Sequence, residues 1–131
     1  MNNEKLALTI IRMAAAGNML IHGIARIINN GVSPFDGFLS GFGFPPYSAW
    51  VITLFEIAGA VVLLFNRWVM PISILFILQL LMGIILVHGR EGWFVVGAGR
   101  NGMEYNVLLM VCFISTIWAK PKNHFVFDCC V

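Results

Sequence analysis

Charge is what this sequence has least of. Lys and Arg number eight and Asp and Glu six in 131 residues, 11% of the chain, while 60% is hydrophobic. A soluble domain carries about 25% charged residues, and without them its surface becomes one adhesive patch. This scarcity excludes a soluble enzyme and a disordered tail, and a net charge of +2 is too small for a nucleic-acid footprint. A Cys-x-x-Cys pair is also missing, which removes the motif of a membrane thiol oxidoreductase. No Glu-x-x-His motif exists, so a di-iron carboxylate site has no basis. Strict polar–apolar alternation is absent from runs such as AGAVVLLF and ILFILQLLMGIILV, which excludes a transmembrane β-barrel. With a mean hydropathy of +0.88, the chain reads as an integral membrane protein.

What is present is four apolar stretches, at about 6–28, 49–65, 68–87 and 103–118. The breaks between them are Asn29-Asn30-Gly31, Pro45-Pro46, Asn66-Arg67 and the glycine-rich segment Gly92 to Gly102. A bilayer core needs about 20 helical residues per crossing. The expected fold class is all-α: an integral membrane four-helix bundle of up-down topology, one domain over residues 1–131. Arg12, His22 and Arg26 interrupt the first stretch, which reads as a retained helix rather than a cleaved signal peptide. The segment from Asn29 to Tyr47 reads as the longest non-helical piece, a membrane-hugging loop rich in Gly and Phe.

Four crossings put Lys5, Arg67, Lys120 and Lys122 on one side, and Arg90 and Arg100 on the other with Arg26 at a helix end. The positive-inside rule then places both termini in the cytoplasm. Cys112 falls within the fourth stretch, and the adjacent Cys129 and Cys130 of the tail read as reduced and incidental. Trp50, Trp68, Trp93 and Trp118 each fall near an expected helix end, as interfacial belts require.

Ionisable groups inside a span are costly and face a bundle interior or a cavity. At 100° per residue Arg12, His22 and Arg26 share an arc of about 80° with Met19 and Gly23. His22 lies six residues before the end of the first stretch, and Glu56 about seven after the start of the second. In an antiparallel pair both sit about 10 Å below one surface. Arg26, His88 and Glu104 fall nearer that surface, while Arg12 belongs to the other half, where it is expected to snorkel to the headgroups. The site expectation is therefore a ligand or proton-linked cluster of His22, Arg26, Glu56, His88 and Glu104. The plainer reading makes these groups helix glue, Glu56 pairing with His22 or Arg26 and Glu104 with Arg26 or Arg100. Ala49, Thr53, Glu56 and Ala60 align as a stripe suited to close packing. No metal site is expected. His22 and His88 satisfy the bare minimum for bis-histidine haem ligation, yet haem is not expected. Gln79 and Gly83 share one face of the third stretch, and His88 falls on the opposite face of an ideal helix.

His22-Gly23-x-x-Arg26 resembles the His-Gly-x-x-Lys signature of the DoxX family. Gly43-Phe44-Pro45, then Glu56-x-x-Gly59 and Leu63-Leu64 before a basic turn, is similar to that family's second helix. His88, the glycine-rich loop and Gly102-x-Glu104 resemble its third and fourth segments, so the likeness runs across nearly the whole chain. Arg26 stands where lysine is commoner, and the Cys129-Cys130 tail is unusual. The resemblance implies a four-helix protein of the bacterial inner membrane tied to quinone-dependent oxidoreduction. Its relatives include the membrane subunit of a thiosulfate:quinone oxidoreductase and a membrane complex in thiol redox defence.

The expected function is thus a small membrane subunit of a quinone-linked oxidoreductase or respiratory assembly, not catalytic alone. Quinone is the one cofactor contemplated, and the expected partners are lipid and other membrane subunits. The alternative is a membrane scaffold whose charged cluster only locks the bundle. Solute transport would need inverted repeats or broken helices, which are not evident.

Overall fold

The computed structural model describes residues 3–94 and 102–118. They form α1 (Asn3–Ile28), α2 (Val32–Ser40), α3 (Ser48–Leu64), α4 (Val69–Gly83), α5 (Gly89–Glu91) and α6 (Glu104–Trp118). A π-helical segment, Ile84–His88, joins α4 to α5. No strand occurs among the described residues. The four expected apolar stretches fall on α1, α3, α4 with its π continuation, and α6, overrunning the last three by one residue each at Phe65, Trp68 and Met103.

Helix α1 has Glu4 in its first turn and Arg26 in its last, the charge order that complements the helix dipole. It stops where Asn30 turns left-handed at φ 53°. Contrary to the expected loop, the segment after it is helical from Val32 to Ser40. Tertiary packing outweighs the loop-like composition here: Val32 and Leu39 are buried against Ala49 of α3. The carboxylate of Asp36 accepts the backbone N–H groups of Tyr47 and Ala49, each at 3.0 Å. Asp36 thereby caps α3 from another helix, since Tyr47 at the cap position supplies no side-chain bond of its own. Left-handed Asn66 and Trp68 form the tight turn between α3 and α4.

Helix α1 packs on α3 and α6, α4 packs on α6, and α2 lies against α3. Between them Ala15, Ala16, Met19, Ala60, Leu63 and Phe113 fill one buried cluster with Phe76. Phe76 and Phe113 stack with centroids 5.2 Å apart. The outer faces are apolar as well: Ile21, Val51, Ile85 and Leu108 are all more than half exposed. Such an exterior suits hydrocarbon rather than water. Two helical stretches, Asn3–Ile28 and Val69–His88, are long and apolar enough to cross a membrane, while α3 and α6 are apolar but shorter.

Gly92 O and Trp93 O accept the N–H groups of Met103 and Glu104, both at 3.0 Å, which closes the base of the glycine-rich segment. Gly102 passes so close to the Trp93 and Phe94 carbonyls that no Cβ would fit. The sequence readings that rest on the interior of that segment, Arg100, Lys120, Lys122, Cys129, Cys130 and the Arg90 side chain lie outside the described residues.

Candidate functional site

The inward stripe of α1 meets the small-residue stripe of α3 at Gly23. A Cβ at Gly23 would lie 2.9 Å from Ile57 Cγ1 and 3.2 Å from Glu56 Cβ, so this glycine sets how closely the two helices approach. One turn further along α1, Arg26 reaches across that contact. Its Nη1 donates to Glu56 Oε2 at 2.9 Å and its Nη2 to Oε1 at 3.2 Å. Nη1 also donates to Thr53 Oγ1 at 3.0 Å, and the guanidinium carbon stands 4.7 Å from the centre of the Phe35 ring. The Glu56 side chain is 1% exposed and that of Arg26 13%. An isolated carboxylate at this depth would be prohibitive; the two-pronged guanidinium contact makes it tolerable.

Two more groups complete the cluster. His22 Nδ1 lies 3.0 Å from Arg26 Nη2 and 3.5 Å from Glu56 Oε2, although the imidazole is largely exposed. A guanidinium only donates, so the Arg26 contact assigns the Nδ1 lone pair inward and the ring proton to Nε2. From α4, Gln79 Nε2 donates to Glu56 Oε1. Residues of two helices, α1 and α4, therefore converge on one carboxylate of α3.

The cluster forms part of the wall of a cleft of about 810 Å³. Most of the remaining wall is apolar and includes Phe35 of α2, Phe44 beyond its end, Ile52 and Phe55 of α3, and Leu109 of α6. This volume falls within the range of small-molecule sites, about 300–1,000 Å³. His88 lines the same cleft as Gln79 and Gly83, which corrects the helical-wheel expectation that it faces away. The cause is the π-helical segment: a wider turn advances each residue by less than 100°, and five such residues bring His88 back toward the Gln79 face. Its ring carbon Cδ2 comes within 3.7 Å of where a Gly83 Cβ would stand.

Of the five residues expected at the site, the structure brings His22, Arg26 and Glu56 into contact and places His88 on the same cleft. Glu104 opens α6 and is not among the cleft's lining residues. Arg12 does not simply snorkel: its Nη1 donates to Asn66 Oδ1 at 2.7 Å, in the α3–α4 turn. Sequence reasoning left Gln79, Thr53, Phe35 and Asn106 out of the site. Gln79 was findable by depth, since it lies ten residues into α4 and Glu56 eight before the end of α3. Among the described residues no three His, Cys, Asp or Glu side chains gather to hold a metal ion.

The DoxX family model matches residues 7–89, from α1 to the first residue of α5. No curated protein and no solved structure matches the chain.

Proposed function

The chain belongs to the DoxX family and is a small membrane protein, and from that premise we propose that it is a non-catalytic subunit of a quinone-linked oxidoreductase of the bacterial inner membrane. In this reading α1, α3, α4 and α6 cross the bilayer as an up-down bundle with both termini in the cytoplasm. The cleft between them is the ligand site, and a partner membrane subunit supplies the electron donor. One observation carries the proposal: an ion pair, Arg26–Glu56, set into the wall of a mostly apolar cleft of about 810 Å³.

A quinone ring needs an apolar slot with one or two polar groups to orient its oxygens. His22 offers an Nε2–H donor beside the cleft, and Asn106 and His88 line it further along. Arg26 and Glu56 hold His22 and Gln79 in place rather than meeting the ring themselves, because each is engaged by its neighbours. The same tautomer argues against haem, since an Nε2 that carries the ring proton has no lone pair for iron.

Engagement of both Glu56 oxygens by Arg26 and Gln79 favours a second reading, in which the cluster only locks the bundle of a scaffold protein. Purification in mild detergent followed by solvent extraction separates the two. The quinone-site reading expects about one quinone per chain together with a co-purifying redox protein. Protein stripped of neither lipid nor partner, yet free of quinone and unable to bind it when supplied, leaves the scaffold.

A further inference from the structure

Among the described residues, Gln79 brings to the cleft wall a carbonyl oxygen, Oε1, that is buried with no hydrogen-bond partner. The amide is not free to turn over. Arg26 holds Glu56 through two N–H groups, so the surface facing Gln79 is a carboxylate, which only accepts. Only the Nε2 edge can meet it; the reverse orientation would set oxygen against oxygen. The ion pair thus fixes Gln79 with one of its two Nε2 N–H groups engaged by Glu56 and its acceptor bare. A buried acceptor in this state is stabilised only when a donor arrives.

Oε1 lies beneath the cleft surface, so a donor reaches it as the wall relaxes around an entering ring. Gly83, one turn along α4, lines the same wall without a side chain; a Cβ there would be in ordinary contact with Asn106 Nδ2 at 3.5 Å and the His88 ring at 3.7 Å. A quinone brings only acceptors to this position, whereas its two-electron-reduced form brings two hydroxyl donors. The His22 Nε2–H does not discriminate, because it donates to the ring oxygen in either state. We propose that the cleft holds the reduced, hydroxyl-bearing ring more tightly than the oxidised quinone, with Gln79 Oε1 accepting from one ring hydroxyl. This rests on the quinone-site reading above and adds its redox selectivity. Preferential binding of the reduced ring raises the midpoint potential of the bound couple, by about 30 mV for each factor of ten. Such a subunit draws electrons into its ring and releases the quinol slowly.

The test is anaerobic equilibrium binding to the full chain in lipid nanodiscs, with three probes: decylubiquinone, decylubiquinol and the dimethyl ether of that quinol. The ether keeps the reduced ring but has no donor. The quinol should bind about tenfold tighter than the quinone, and the ether no tighter than the quinone. In Gln79→Leu the quinol advantage should shrink to about twofold or less. Equal binding of quinol and quinone by the wild type overturns the inference and leaves the quinone site standing. Failure of all three probes to bind overturns the site reading and the inference with it. A tenfold preference that survives in Gln79→Leu removes Gln79 as its cause. Should that variant fail to fold, the wild type with the ether decides alone.

Discussion

The Arg26 guanidinium on α1 grips both oxygens of the Glu56 carboxylate on α3, at 2.9 and 3.2 Å. The ring of Phe35 in α2 stands 4.7 Å from the same guanidinium, a cation–π contact that adds to the enclosure of the charge. With its side chain only 13% exposed, Arg26 has little access to the headgroups, in contrast to a snorkelling arginine.

Glu56→Gln keeps size and polarity but strips the pair of its negative member. Breaking a buried pair costs about 3–5 kcal/mol in soluble proteins, and enclosure of Arg26 leaves little relief. Thermal unfolding in detergent should register a loss of about 3 kcal/mol. Adding Arg26→Gln should recover part of it, because no lone charge then remains. Unchanged stability in the single variant would show that the pair does not hold the bundle.

Gly23→Ala tests the close approach of α1 and α3. The added methyl overlaps Ile57 Cγ1 and crowds Glu56 Cβ, neither of which is the tip of a flexible chain. Overpacking of this kind costs about 1–3 kcal/mol, and the expected result is a lowered melting temperature. Because the helices must part, the variant should also weaken the Arg26–Glu56 contact, so adding Glu56→Gln to it should cost less than Glu56→Gln alone. Strict additivity of the two losses would separate the helix contact from the ion pair.

Topology is tested by reporter fusion. With four crossings and cytoplasmic termini, a reporter after Val131 should read as cytoplasmic and one within residues 95–101 as external. The reverse pattern would move the Arg26–Glu56 cleft to the cytoplasmic half of the membrane.

The heart of the cluster was legible because depth along a helix survives without any knowledge of the fold. His22 and Glu56 fall at matched heights in an antiparallel pair with Arg26 one turn nearer the surface, and the cost of a lone charge in hydrocarbon then brings them together. The same arithmetic reaches Gln79, which carries no charge to draw attention to it. Three features resisted reading for physical reasons. Helix α2 is held by packing of Val32 and Leu39 and by Asp36, a capping contact between distant residues, rather than by its own propensity. His88 sits out of phase because a π turn has no signature in the spacing of apolar residues. Arg12 finds Asn66 because the α3–α4 turn ends at its depth, a match that needs both helix lengths at once.

Arg12–Asn66 has a mechanical consequence. Arg12 and Arg26 are fourteen residues apart on α1, about 21 Å along the axis, and each is tied to α3 or the turn that ends it. A rod pinned to its neighbour at two heights can neither slide past it nor pivot about one point. In the four-crossing arrangement proposed above, α1 and α3 would therefore tilt together as one stave. The compliance falls on the gap to α4, which Gln79 spans to reach Glu56.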